Sequence, residues 1–400
     1  MGSIFTIDPL SPECLRVISE IDALRVQLRN ATSDNRRRWT GLLSRSTFAR
    51  AIQGSNTIEG YNVTHEDAVA AIEGEEPLDA DRAAWSAVKG YRSAMSYVLQ
   101  LADDRHFVHN EGTLRGLHYM MLDFDITKHP GRWRPGAVFV RHEPTGQIVY
   151  EGPDISLVAK LMEDLINSLN APSDLPVMVR AAMAHLNLVM IHPFSDGNGR
   201  MGRALQTMVL AREGILDPIF SSIEEYLGRQ MLEYYAVLAE VGQGSWHPER
   251  DPSPFIKFCL TAHYRQATTL LRRTKEMERV GDILEVEARK RGLNERLVLA
   301  LLDAAFGRRI RNSTYRAIAG ISNEVASKDL KTLVNEGLLV PVGERRGRVY
   351  IGSDWLRSLR PKRTALISLQ DPFAQHTESS ANSNQLDLLQ EPPQKAARTR

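Results

Sequence analysis

The chain has 400 residues, 42% hydrophobic and 25% charged, which is more sequence than one compact core usually holds and the composition of an ordinary folded protein. Fifty basic residues against 49 acidic ones leave a net charge of +1, so no global field marks a nucleic-acid or membrane binder and any such role must rest on a local patch. Cys14 and Cys259, the two cysteines, form no CxxC and read as small buried residues in a reducing compartment; no apolar run is long enough to span a bilayer and no signal peptide is evident, so the expected location is cytoplasmic and off the membrane.

The first six residues, MGSIFT, fit the myristoylation pattern at Gly2 and Thr6, but no polybasic stretch follows. Helical spacing then dominates. In residues 11–30, Leu15, Val17, Ile18, Ile21, Leu24 and Leu28 recur near a 3.6-residue period. A second helix is expected over 37–54, broken at Gly54, and others over 65–73, 80–102 and 110–121. Gly131 to Pro135 ends this run. Ala137–Val140 and Gln147–Tyr150 flank Glu143-Pro144-Thr145-Gly146, which predicts a β-hairpin. Helices resume at 154–169 and 175–190, and a charged helical connector is expected over 265–291. Three helices follow, at Leu293–Ala305, Tyr315–Gly320 and Ser322–Glu336. Two strands, Leu338–Val342 and Arg348–Ile351, then enclose a turn at Gly343–Gly347. Three helices before a hairpin is the winged-helix order. From about residue 362 the chain is polar and poor in apolar residues, which predicts disorder.

The segment richest in chemistry is His192-Pro193-Phe194-Ser195-Asp196-Gly197-Asn198-Gly199-Arg200-Met201-Gly202-Arg203. Pro193 disfavours helical geometry at His192, so the preceding helix should end there. Gly197 and Gly199 permit a tight backbone whose N–H groups converge on an anion, and the helix that follows points its positive end at the same place. Arg200 and Arg203 are three residues apart and share a helix face. Asp196 is a hard oxygen ligand suited to Mg²⁺, and His192 has the pKa range of a general base. Other readings of these residues compete. Gly197 to Gly202 is also a GxGxxG, but no strand precedes it and no βαβ unit surrounds it. His192 alone could cap a helix, and His185, His192 and Asp196 could meet at a transition metal, although they lack the close helical spacing of zinc pairs.

The twelve-residue string resembles the signature of the Fic (filamentation induced by cyclic AMP) family, matching it at every specified position, and the likeness extends over roughly residues 40–260. It implies a mainly α fold with a Fic-type helical core, a small β-hairpin flap and, from the element order above, a C-terminal winged helix. It also implies transfer of AMP from ATP to Ser, Thr or Tyr hydroxyls of proteins, the chain itself among them. His192 would be the base, with Asp196 on Mg²⁺. Asn198 and the Gly197 and Gly199 backbone would hold the α- and β-phosphates, Arg200 the β-phosphate and Arg203 the γ-phosphate. Phe194 would be the buried anchor of the loop. Ser55-Asn56-Thr57-Ile58-Glu59-Gly60 resembles the family's inhibitory motif, in which Glu59 pairs with Arg203 and Ser55 and Gly60 are the other fixed positions; its other reading is an exposed Glu before a helix-stopping glycine.

The 136–150 hairpin resembles the family's flap, and Gly131-Arg132-Trp133-Arg134 before it also fits the family pattern. Tyr234-Tyr235 resembles an adenine-lining pair and reads equally well as a core pair; Gly242 stands where some members carry an adenine-contacting Asn. These readings divide the chain into an N-terminal helical region (1–100), a catalytic core (101–264), the connector (265–291), the winged helix (292–358) and the tail (359–400). The winged-helix segment is locally basic through Arg308, Arg309, Arg311, Arg316, Lys328, Lys331, Arg345, Arg346 and Arg348, open to DNA or to protein docking. Two other functions stay open at this point: removal of AMP from a modified protein, with Glu59 orienting water, and a winged-helix regulator whose core senses nucleotide. The protein substrate and a homo-oligomeric state are not legible.

Overall fold

The structure is a computed structural model that describes residues 4–32, 40–141, 145–216, 222–344, 348–360 and 371–374. Gly2, Arg345, Arg346, the first half of the hairpin turn and most of the tail lie outside those residues. The fold is mainly helical, with two small antiparallel hairpins among the described residues.

Five helices open the chain: α1 (Pro12–Thr32), α2 (Thr40–Ile58), α3 (His65–Glu73), α4 (Arg82–Asp103) and α5 (Glu111–Leu122). Several starts follow from capping chemistry. Thr64 and Asp67 form a reciprocal capping box before α3, and the Asp81 and Asn110 side chains accept from backbone N–H groups at the starts of α4 and α5. The hairpin follows as β1 (Phe139–Arg141) and β2 (Ile148–Glu151), with a register shift between Val140 and Arg141. Then come α6 (Ile155–Asn170), α7 (Val177–Ile191), α8 (Asn198–Arg212), α9 (Glu224–Arg229), α10 (Met231–Gly242) and α11 (Ser253–Lys290).

Gly54 does not break α2, contrary to expectation. A β-carbon at Gly54 would lie 2.4 Å from the Glu224 carbonyl oxygen, and one at Gly228 would lie 2.6 Å from the Gly54 Cα. The glycine is there for a close approach of α2 to α9, and helical geometry runs through it. Gly54→Ala should therefore cost about 1–3 kcal/mol by overpacking against fixed backbone. Gly41→Ala, with nothing among the described residues within 4 Å of its new methyl, should be neutral or slightly stabilising. Denaturant melts of the two variants check this pair.

One hydrophobic core runs from Phe5 through α1 and α2 to Ala262, so the N-terminal helices share their interior with the loop between α7 and α8. The expected connector is the second half of a single 38-residue helix, α11. Its first part packs into that core; Leu270, Met277, Val280 and Leu284 pack into a second one with α12 (Leu297–Ala305), α13 (Asn312–Ala319) and α14 (Asn323–Asn335). Strands β3 (Leu339–Val342) and β4 (Val349–Gly352) and the short α15 (Asp354–Ser358) complete this unit. The order of three helices and a hairpin is as read from the sequence.

Several of its arginines are engaged internally. Arg308 pairs with Asp303, Arg309 with Glu66 and Asp79, and Arg311 donates to the Glu76 carbonyl at 2.7 Å. Glu66 lies on α3, so part of the basic patch joins this unit to the N-terminal half. In the tail, Arg16 donates to the Pro372 carbonyl at 2.7 Å and Phe373 packs on the main core, so residues 371–374 are docked. No helix among the described residues is long and apolar enough to cross a membrane.

Candidate active site

Helix α7 ends at Ile191, and His192 follows in the left-handed region at φ 51°, outside the right-handed helical geometry that Pro193 disfavours there. The His192 carbonyl accepts from Arg134 Nε at 3.0 Å, and the Pro193 carbonyl accepts from the Arg134 N–H at 2.8 Å. The rest of that buried guanidinium donates to the Gly136 and Pro153 carbonyls. Arg134 thus sets the height of His192 and ties it to the base of the flap. Its side chain does this through carbonyl oxygens alone, so neither charge nor periodicity in the sequence points to the task.

His192 Nδ1 lies 3.1 Å from the Val189 carbonyl. A carbonyl only accepts, so Nδ1 carries the hydrogen and Nε2 keeps its lone pair. Burial, with Arg134 nearby, draws the imidazole down to about 4, against opposing pulls from the Val189 carbonyl, Glu59 and Asp196. His192 is therefore neutral at pH 7 and able to take a proton. If it is the base, kcat/KM should hold on the acid side until pH approaches about 4, since protonation there removes the lone pair. Removing Glu59 takes away a group that raises His192, so the limb should move no higher in Glu59→Gly. A pH–rate profile of that variant checks this, and an acid limb near 6.5 would contradict it.

The loop is braced from beneath. Phe194 is fully buried and stacks on His118 with centroids 3.7 Å apart and planes 7° from parallel. The Gly131 N–H donates to His118 Nδ1 at 2.8 Å, so Nε2 carries the hydrogen and donates to the Asp196 carbonyl at 2.9 Å. Asn198 accepts from the Phe194 N–H and donates to the Phe194 carbonyl, both at 2.9 Å. Both arms of its amide are thus spent on the loop's own backbone, and its side chain braces the turn in this structure. His118 had no motif to mark it; only the three-dimensional stack shows its part.

Gly197 sits at φ 75° and starts α8, which no side chain caps among the described residues. Its N–H donates to Asp196 Oδ1 at 2.6 Å, while Asp196 Oδ2 lies 2.5 Å from Lys128 Nζ. Burial works against the charge of Asp196, but Lys128 and Arg200 hold its carboxyl below the usual range. Lys128 was not singled out from the sequence. Both Asp196 oxygens are engaged, so Mg²⁺ would share this carboxylate with Lys128 or displace it, and would take its other ligands from phosphates and water. No group of three or more His, Cys, Asp or Glu residues suited to a metal occurs among the described residues. His185, considered with His192 and Asp196 for a transition metal, instead bonds Gln206 at 2.6 Å and the Tyr234 hydroxyl at 2.8 Å.

Arg200 and Arg203 are 0% and 1% exposed. Arg203 Nε donates to Ser55 Oγ at 2.7 Å, and Nη2 to the Ser55 carbonyl at 3.0 Å and to Glu59 Oε1 at 2.6 Å. Burial disfavours its charge, and the Glu59 carboxylate with Tyr234 and Tyr91 raises its pKa beyond the ordinary arginine value. The expected contact between the N-terminal motif and the loop is present. A β-carbon on Gly199 would lie 2.4 Å from Glu59 Oε1, so this carboxylate occupies the space over the start of α8. Tyr61, two residues on, lies under Arg200 with 5.2 Å from guanidinium carbon to ring centroid. Arg200 Nε and Nη1 and Arg203 Nη1 are buried donors without a hydrogen-bond partner among the described residues.

The tyrosine pair divides. Tyr234 is 1% exposed and bonded to His185, a core residue behind Arg203 rather than an open aromatic face. Tyr235 is half-exposed and donates to the Ile58 carbonyl at 3.0 Å, beside Glu59. A β-carbon on Gly242 would crowd the Tyr150 ring at 3.2 Å, so that glycine lets the flap strand settle on α10.

A mainly helical core that carries such an arginine-lined loop between α7 and α8, with a two-stranded hairpin tied to it near Arg134, is the Fic-type arrangement. Residues 109–210 match the family model described as Fic/DOC, and that segment is a domain of the Fic/DOC family. The chain is 30% identical over 208 residues to protein adenylyltransferase Fic of Aedes aegypti, covering 52% of this chain and 38% of that protein. It is 33% identical over 144 residues to protein adenylyltransferase fic-1 of Caenorhabditis elegans, covering 36% and 25% respectively. The chain thus spans well under half the length of these curated relatives. A crystal structure of a Fic family protein from Desulfovibrio desulfuricans superposes with a TM-score of 0.57 at 22% identity, over 88% of this chain and 99% of that one. Fic-1 from C. elegans superposes with a TM-score of 0.53 at 20% identity, over 65% and 73%. These two likenesses concern the fold.

Proposed function

We propose that the chain is a protein adenylyltransferase that moves AMP from ATP to a protein hydroxyl and is held back by Glu59. The observation that carries the proposal is the set of three unpartnered guanidinium donors on Arg200 and Arg203, buried at the start of an uncapped helix. A buried donor left unpaired costs about 1–3 kcal/mol and more when charged, so such donors call for an anionic ligand. Triphosphate oxygens supply one. The names of the curated relatives point the same way.

In this reading a Ser, Thr or Tyr hydroxyl oxygen attacks the α-phosphorus, and its proton passes to His192 Nε2. The bond to the bridging oxygen breaks, and pyrophosphate leaves with that electron pair. Arg200 and Arg203 stabilise the charge that develops on the leaving group, with the Gly197–Arg200 backbone at the helix start. Asp196 would hold Mg²⁺, which supplies charge neutralisation to the phosphates. The half-exposed Tyr235 ring would meet the purine, and β1, with no strand on its outer edge among the described residues, could pair with an extended target segment.

Removal of AMP from a modified protein is the second reading, favoured by Glu59 lying over Gly199, where it could orient water. Purified chain incubated with ATP labelled at the α-phosphate, and separately with a labelled adenylylated protein, distinguishes the two. Incorporation supports transfer; release without incorporation overturns it. For the C-terminal unit we propose a winged-helix docking role, for protein rather than DNA, because Arg308, Arg309 and Arg311 are spent on internal partners.

A further inference from the structure

A cavity of about 300 Å³ lies away from the loop, where α2, the start of α3 and the middle of α11 meet the C-terminal unit. Arg50, Arg273, Arg308 and Arg360 line it, with Met277 and Phe306 as an apolar wall. The charges on its Arg50 side do not balance. Glu225 is the one carboxylate shared by three arginines: Arg273 takes it with two bonds of 2.6 and 2.7 Å, Arg229 reaches it at 2.5 Å, and Arg50 comes only to 3.9 Å. Of the two guanidinium groups that line the cavity here, Arg273 takes the carboxylate with both arms and Arg50 is left without a hydrogen bond to it.

The acids that line the cavity do not restore the balance there. Glu276 is held by Arg360 at 3.0 Å, and Glu66 by Arg309. Arg308 is matched by Asp303. Arg50 therefore faces the cavity with no hydrogen bond among the described residues. Burial, with Arg273 beside it, pulls it down to about 9. His65, on the same wall, is lowered by burial and then by Arg50 and Arg308, as a positive local potential requires. A second anion would relieve what one carboxylate cannot.

We propose that this cavity binds a small organic phosphate, its phosphate group against Arg50 and Arg273 and its apolar body against Met277 and Phe306. Guanidinium forks match phosphate oxygens in geometry as well as charge. The Arg360 guanidinium, paired with Glu276, lies over the Phe306 ring at 5.3 Å and places a donor-bearing side chain in the cavity lining. The site is independent of the AMP-transfer reading, since it shares no residue with the 192–203 loop.

The test is calorimetric titration of the full chain, without ATP, using 1-naphthyl phosphate as probe and 1-naphthol and inorganic phosphate as comparison arms. Saturable binding of the naphthyl phosphate is expected, tighter than either arm and weakened by added salt. Arg50→Gln should weaken it about tenfold or more, because a charge-assisted donor is lost. Arg360→Glu, a change at a more exposed position, should also weaken it and decides the matter if Arg50→Gln fails to fold. Arg200→Ala should leave it unchanged. Absence of binding, wild-type affinity in both cavity variants, or loss confined to Arg200→Ala would overturn the proposal.

Discussion

Replacing Glu59 by glycine is expected to raise AMP incorporation from α-labelled ATP by about 10–100-fold, the worth of one charge-assisted contact to a buried arginine. Glu59 Oε1 lies 2.6 Å from Arg203 Nη2 and fills the space over Gly199. While it stays there, phosphate oxygens and the carboxylate compete for one guanidinium. Glu59 stands just beyond the last residue of α2, so glycine there removes no helical residue and the fold should hold. Ser55 still anchors Arg203 through Nε and Nη2, so the arginine keeps its place after the carboxylate is gone. Adding Arg203→Ala should reverse the gain. Incorporation that stays at the wild-type level in a folded Glu59→Gly would reduce the Glu59–Arg203 pair to a structural contact.

Loss of His192 should have the opposite sign and a comparable or larger size. In the Glu59→Gly background, His192→Ala is expected to lower transfer by about 10²–10⁴-fold, the usual worth of a general base. Nucleotide binding should survive, because the guanidinium donors and the start of α8 do not depend on the imidazole. The loop also keeps its supports: Arg134 holds the backbone carbonyl of residue 192, and Asn198 holds Phe194. Single-turnover rates with separately measured ATP binding check this. Transfer at an undiminished rate would remove the base from the proposed reaction.

The loop was the most legible part of the molecule, because its demands are local. A proline after His192, glycines at 197 and 199 and arginines three apart each constrain backbone or helix face within a few residues. The Ser55–Gly60 segment was legible by its resemblance, although its distance from Arg203 in sequence hides the contact. Helix periods gave most of α1 to α8. Gly54 misled, because a glycine in an apolar period reads as a stop when it is a crossing point with α9. The continuous α11 was read as a connector because its second half is charged on the outer face while burying Leu270, Met277 and Leu284 on the other. Tyr234 has the composition of a base-stacking residue and the environment of a core one, and only His185, 49 residues away, separates the two. Lys128 and His118 act through long-range bonds to backbone or to a single carboxylate, which leave no local pattern; Arg134 was marked only by the family-like Gly131–Arg134 string, which did not show its hold on His192.

The most direct test of the central claim is intact-mass analysis of Glu59→Gly and of Glu59→Gly with His192→Ala, each incubated with ATP, Mg²⁺ and a cell lysate and then repurified, alongside separation of labelled lysate proteins. The account predicts that labelled adenylyl groups appear covalently on protein hydroxyls, on the chain or on lysate proteins, with Glu59→Gly and are nearly absent with the double variant. Covalent label that is equal in the two, or absent from both while each still binds ATP, would contradict it.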